Sequence, residues 1–99
     1  MVPPAARGPV ETVRVTIPPV YTEVDGARVQ ILEVAPYTAL SGEKRFMVVC
    51  RIEMGGYRTK AFTVDVRSNA ELEQKLRREV ALMRVYLLSG ETSLFERVG

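Results

Sequence analysis

The fold is decided by residues 45–71, which read RFMVVCRIEMGGYRTKAFTVDVRSNAE. Two β-rich runs, 45–54 and 57–66, flank Gly55-Gly56, and a glycine pair can adopt the positive φ angles that a tight turn requires. A two-residue loop would turn the apolar residues of the two runs to opposite faces. A shift by one residue, through a three-residue loop or a bulge near the glycines, brings them to one face. We predict the shifted register, because one buried and one accessible face is the usual antiparallel arrangement. Its buried face comprises Phe46, Val48, Cys50, Ile52, Phe62, Val64 and Val66.

A long helix is predicted directly after this hairpin. Ser68-Asn-Ala-Glu71 fits a capping box, in which the Ser68 hydroxyl accepts from the Glu71 amide and the Glu71 carboxylate accepts from the Ser68 amide. Ser89-Gly90 offers a glycine terminator, so we expect the helix to cover residues 69–88. One apolar stripe should pack on the sheet: Leu72, Leu76, Val80, Met83 and Leu87.

The chain before the hairpin contains further strand patterns. Residues 10–17 alternate between apolar and polar up to Pro18-Pro19, which predicts an edge strand. Asp25-Gly26 separates the β-rich runs 21–24 and 27–34, which is a strong hairpin signal. Residues 35–44 contain a proline, a glycine and small polar residues, and we interpret them as a loop that carries an exposed Tyr37.

The order of these elements predicts an α+β fold, a four-stranded antiparallel meander packed against one long C-terminal helix. At 99 residues the chain has room for one domain, which we place at 10–99. Residues 1–9 hold three prolines and a glycine, and we interpret them as a flexible arm.

Composition excludes several kinds of chemistry. The chain has one cysteine and no histidine, which rules out internal disulfides, Cys/His zinc sites, Ser-His-Asp triads and Cys-His nucleophile pairs. We expect no cofactor, no metal and no enzymatic activity. No apolar run reaches 18 residues and the first residues do not resemble a signal peptide, so we expect a cytoplasmic protein with no membrane contact.

The accessible face of the hairpin is the predicted binding surface. The net charge is only +2, so basic character must come from local clustering. Cations along a backbone path and aromatic rings for stacking are what single-stranded nucleic acids require. The segment supplies Arg45, Arg51, Arg58 and Lys60 for phosphates, with Tyr57 and Tyr37 for bases. The alternative is that alternating Arg, Thr and Glu residues simply solvate the sheet and protect its edges.

The second half of the helix has too much apolar surface for one sheet to bury. Within residues 80–88, Arg84 is the only charge. Leu82, Val85 and Tyr86 need another partner, either the tail through Leu94, Phe95 and Val98 or a second subunit. We predict a homodimer, whose two binding faces act together on one strand. The competing function is a homo-oligomeric adaptor that uses this half of the helix.

The hairpin ends in Ala61-Phe-Thr-Val-Asp-Val-Arg67 and the helix follows at once from Ser68 to Val80 and beyond. With the strands that precede it, this order resembles the ThermoDBP group of single-stranded DNA-binding proteins from hyperthermophilic archaea, over about residues 12–90. The small number of Asn and Gln residues (Gln30, Asn69, Gln74) also suggests a thermophile. The resemblance implies a groove with basic walls and an apolar floor that binds single strands with little sequence preference. Single-stranded DNA is therefore the expected ligand, with RNA as an open alternative.

Overall fold

The computed structural model describes residues 15–98, with side chains from Val20 onward, and has an α+β fold. One helix packs against an open antiparallel sheet in the order β1-β2-β3-β4-β6, and β5 also pairs with β3. The predicted arm at 1–9 and the start of the predicted first strand lie outside the described residues. The elements are β1 (Val15–Val24), β2 (Ala27–Thr38), β3 (Lys44–Met54), β4 (Tyr57–Arg58), β5 (Phe62–Val66), α1 (Asn69–Leu88), a 3-10 turn (Thr92–Leu94) and β6 (Glu96–Arg97).

The first two strands are longer than the sequence indicated. β1 continues through Pro18-Pro19 and joins the predicted run 21–24, with a register shift between Thr16 and Val20. Prolines have no amide donor, and an irregularity in the ladder is where such residues are tolerated. The predicted end of the strand at the proline pair was therefore wrong.

The predicted loop at 35–44 is also shorter than expected. β2 runs on to Thr38, so Pro36 pairs with Phe46 and Tyr37 with Arg45. Amides of an antiparallel strand point alternately to either side, so one proline need not interrupt its pairing with β3. Tyr37 thus lies in a strand and not in a loop.

The central hairpin has the predicted shift, although not at the glycines. Gly55 and Gly56, with φ of +58° and +82°, form a two-residue turn that pairs Met54 with Tyr57. Further along, Phe62 pairs with Cys50, which is the shifted register. The bulge lies between, where the Ile52 amide donates to the Thr59 hydroxyl at 3.0 Å. It splits the predicted fourth strand into β4 and β5, and the tail adds β6, so the four predicted strands lie within a sheet of six.

The helix boundaries agree with the prediction. The Glu71 amide donates to Ser68 Oγ at 3.2 Å, but the Glu71 carboxylate accepts from the Arg67 amide at 2.7 Å instead of from Ser68. The predicted stripe faces the sheet, with Leu76, Val80 and Met83 buried and Leu72 and Leu87 half-buried. These residues pack on a core that comprises Val24, Ala27, Val29, Cys50 and Ile52.

The helix covers one face of the sheet only in part. Its end reaches the β1-β2 turn, where Arg84 Nη2 donates to the Asp25 carbonyl at 2.7 Å. Near its start an apolar groove of about 270 Å³ stays open, lined by Ile31, Val34, Phe46, Val48, Val66 and Leu72 among others. In the part of the chain that the structure describes, no helix is long and apolar enough to cross a membrane.

Candidate nucleic-acid interface

The face of the sheet opposite the helix, here called the open face, holds most of the predicted site. Strand register places Gln30 beside Arg51 and Tyr37 beside Arg45, alternating with the core residues. Met47 is 44% exposed on this face and Val49 is half-buried, so the strip between the two polar groups is apolar. Arg45 and Arg51 are six residues apart on β3, or about 20 Å at ~3.3 Å per residue.

At one end of the open face, the Asp65 carboxylate binds two neighbouring side chains. The Tyr37 hydroxyl donates to Asp65 Oδ2 at 2.5 Å and Arg45 Nε donates to Asp65 Oδ1 at 2.9 Å. Arg45 also pairs with Glu43 at 3.0 Å. We call Tyr37, Arg45 and Asp65 the carboxylate cluster. Its arginine faces two acidic groups, so little positive charge remains for a phosphate.

The electrostatics of this cluster follow from these bonds. The hydrogen bond to the Asp65 carboxylate raises the pKa of Tyr37 above its usual value. Donation from Tyr37 and then from Arg45 lowers the pKa of Asp65. The same carboxylate, followed by Glu43, raises the pKa of Arg45. The cluster also reaches the helix, since Lys75 Nζ donates to the Asp65 carbonyl at 2.7 Å. It therefore ties three strands to the first half of α1.

The other end of the open face is built around an amide. Arg51 Nε donates to Gln30 Oε1 at 2.8 Å, and Gln30 Nε2 donates to the Tyr21 hydroxyl at 3.2 Å. The Arg28 guanidinium stacks on the Tyr21 ring, 3.8 Å from its centroid. We call Tyr21, Arg28, Gln30 and Arg51 the amide row. Among the described residues neither arginine has an ion pair with a carboxylate, although strand register places Glu23 and Glu53 on either side of Arg28.

Arg58 occupies the end of the hairpin on this face and is held by acidic neighbours. Its guanidinium lies 3.8 Å from Glu53 and 3.2 Å from Glu96 of β6. Its Nε is buried with no hydrogen-bond partner. These contacts hold the tail against the hairpin, so the positive charge of Arg58 has a structural role.

Tyr57 lies on the other side of the sheet from the predicted cations. Because it pairs with Met54, it packs against the core cluster on the helix side, with the Arg97 guanidinium 5.7 Å from its ring. Its edge borders a cavity of about 270 Å³ at the hairpin tips, which Arg28 and Glu53 also line. The prediction that Tyr57 shares one accessible face with the cations is corrected here.

The structure therefore brings together only part of the predicted site. Tyr37 and Arg45 are in contact, Arg51 is on the same face at the far end, and Lys60 is exposed in the bulge. Tyr21, Arg28 and Gln30 were missed. The Asp25-Gly26 hairpin contained the signal, because a two-residue turn places Tyr21 opposite Gln30 and Glu23 opposite Arg28.

The remaining chemistry of the described residues is limited. No group of three or more His, Cys, Asp or Glu side chains among residues 20–98 is arranged to hold a metal ion. Cys50 lies in the core, where burial raises the pKa of its thiol to about 12. A thiol in this state packs as a small apolar side chain.

The chain matches no protein-family model, no curated protein and no solved structure.

Proposed function

We propose that this protein binds single-stranded nucleic acid on the open face, with single-stranded DNA as the first ligand to test and RNA as the second. The observation that carries the proposal is the amide row. It combines a 45% exposed tyrosine, a guanidinium stacked on that ring and a second arginine whose acceptor is a neutral amide. The resemblance to the ThermoDBP group implies the same ligand class.

Each part of the row has a chemical role in this proposal. Bases stack on aromatic rings and on guanidinium planes, and because Arg28 lies over the Tyr21 ring, a base would stack on the outer side of this pair. Arg51 contacts phosphate, because its bond to Gln30 orients the guanidinium without neutralising it. Met47 and Val49 supply an apolar floor beside the row. Arg45 and Arg58, which face acidic groups, have supporting roles.

The number of cations without an ion pair sets the expected salt dependence of binding. Three cations on the open face or at the bulge beside it have no ion pair with a carboxylate among the described residues: Arg28, Arg51 and Lys60. Single strands lose affinity with a log-log salt slope of about −0.7 per neutralised phosphate, so we expect a slope of roughly −2. Fluorescence anisotropy with single-stranded and duplex oligonucleotides of equal length, at two or more salt concentrations, measures both preference and slope.

Two pairs of variants locate the site. Tyr21→Ala should weaken single-strand binding several-fold with little change in slope, because base–aromatic stacking is worth about 1–3 kcal/mol per base. Tyr86→Ala removes a ring of similar exposure from the helix and serves as its control. Arg51→Gln should reduce the slope by about 0.7, whereas Arg77→Gln, with the same change in net charge, should not. Equal effects within each pair would contradict the proposed location, and no binding at about 50 mM salt would contradict the function.

A further inference from the structure

The second half of α1 leaves a contiguous apolar surface exposed. Leu82 is 46% exposed, Val85 61% and Leu88 82%, all within two turns of helix. Tyr86, at 42%, and Leu94 of the following turn, at 52%, extend the surface toward the tail. We call these five residues the helix patch. Arg84 is the one charge within residues 80–88, and its guanidinium is bound to the Asp25 carbonyl.

The tail does not cover the helix patch. Phe95 packs against the core and lies 6.3 Å from the Tyr86 ring, and β6 pairs with β4. The Val98 amide then donates to the Gly56 carbonyl at 2.9 Å, which directs the chain along the hairpin and away from the helix. One alternative in the sequence analysis was that the tail folds back over the helix. Phe95 does so, while Leu94 stays exposed.

We propose that the helix patch is the contact surface for a second copy of this chain, packed antiparallel about a two-fold axis near Val85. The exposed apolar area is on the order of 500 Å² per copy, which is as large as the largest patch on a typical soluble monomer, and patches of that size are often functional. Two copies together would remove roughly 1,000 Å², where specific interfaces begin. A two-fold axis closes the assembly, because the same patch is buried on both copies.

Charges at the ends of the patch fit this symmetry. Arg78 precedes Val85 by seven residues, which keeps it on the same side of the helix, and Glu91 follows Val85 by six. An antiparallel arrangement centred there brings Arg78 of one copy beside Glu91 of the second copy. Both residues are exposed, and neither side chain has a hydrogen bond or ion pair among the described residues.

The dimer has a consequence for ligand binding that rests on the proposed function. The open face and the helix lie on opposite sides of the sheet, so the layers follow the order sheet, helix, helix, sheet. The two open faces then point away from each other. A short strand cannot contact both, which replaces the expectation that two faces act together on one strand.

Sedimentation velocity of the full chain without nucleic acid tests the assembly separately from ligand binding. We expect a two-chain mass at about 10 µM, since closed homodimers are populated according to protein concentration. Val85→Glu and Leu88→Glu should each give a folded single chain, because these are the most exposed residues of the patch and the core does not need them. Ala70→Glu adds the same charge to an exposed site of the same helix, about 20 Å away, and should keep the two-chain mass.

A charge exchange tests the geometry. Arg78→Glu should weaken the dimer about tenfold by placing like charges together, and addition of Glu91→Arg should restore it. The proposal is overturned by a wild-type single-chain mass up to about 100 µM, which would leave the patch to an unlike partner. Assemblies that keep growing with concentration, a two-chain mass for both patch variants, or equal loss in Ala70→Glu would overturn it as well.

Discussion

The two ends of the open face are built from the same kinds of side chain, except that one has a carboxylate where the other has an amide. Each has a tyrosine hydroxyl, an arginine and one side chain that joins them. The Asp65 carboxylate accepts from both Tyr37 and Arg45 in the carboxylate cluster, whereas the Gln30 amide accepts from Arg51 and donates to Tyr21 in the amide row. A carboxylate forms an ion pair with the guanidinium, and this pair helps to hold neighbouring strands together. An amide orients the guanidinium and leaves its field available to a ligand. The difference explains why Arg45 and Arg51, two arginines on one strand that the sequence predicts to contact phosphates alike, have different proposed roles.

The largest effect is expected when the amide row is given the chemistry of the carboxylate cluster. Gln30→Glu keeps the shape of the side chain and pairs Arg51 with a negative charge. Single-strand affinity should fall by about tenfold or more, because a cation that contacts phosphate becomes neutralised. Anisotropy measures the affinity, and circular dichroism checks that the protein stays folded. Unchanged affinity in a folded Gln30→Glu protein would show that Arg51 does not contact the ligand.

The reciprocal change, Asp65→Asn, should act in the opposite direction on binding. It removes the carboxylate that Tyr37 and Arg45 share, so Arg45 gains free charge and affinity should rise by about two- to threefold. Thermal stability should fall, since Arg45 loses its ion pair with this side chain and the single oxygen of the amide cannot replace both carboxylate oxygens as acceptors. Calorimetry and anisotropy on the same sample test both statements. A rise in stability would contradict the cohesive role of the cluster.

Acid pH should affect the carboxylate cluster and not the amide row. The pKa of Asp65 is lower in the folded protein than the usual unfolded value of about 3.9. Its contribution to stability is therefore present above about pH 4 and is lost as the pH falls through the folded pKa. Glu71, whose pKa is lowered by the Arg67 amide, adds to the same window. Denaturant midpoints between about pH 2 and pH 6 should show a shallower acid decline for Asp65→Asn than for the wild type.

The smallest effect is expected for Tyr37→Phe. It removes one donor from Asp65 but leaves the Arg45 bond in place, so stability should change little and affinity should stay within about twofold. Ultraviolet titration gives the sharper measurement. The wild type should contain a tyrosine that ionises at higher pH than an ordinary phenol, and that late step should be missing in Tyr37→Phe.

Sequence patterns were sufficient to predict the structure where the stabilising contacts join residues that are close in the chain. Ser68 and Glu71 set the start of α1, and the stripe from Leu72 to Leu87 identifies the face that packs on the sheet. The register shift was also predictable, since the apolar residues of β3 and β5 reach one face only with a bulge. The position of that bulge was not predictable, because it depends on the Thr59 hydroxyl meeting the Ile52 amide across the turn.

The sequence indicated which types of residue form the candidate site, but not which of them lie together. Arg45 and Arg51 look alike in sequence, six residues apart on an alternating strand, yet their partners come from other strands. Asp65 arrives from β5 and Gln30 from β2, so the pairing depends on strand order. Tyr57 was misplaced because the two-residue turn pairs it with Met54, on the core side.

The sequence by itself determined the elements of this protein: the glycine turn, the capped helix, the apolar stripe and the excess of apolar surface at residues 82–88. These follow from backbone conformation and periodicity, which act over a few residues. Only the tertiary structure decided which charges are free. A cation's field is set by the groups within a few ångströms of it, and in a sheet those groups come from strands far apart in the chain. That is why Arg45 is held by the Asp65 carboxylate while Arg51, bound to the neutral amide of Gln30, has no ion pair among the described residues.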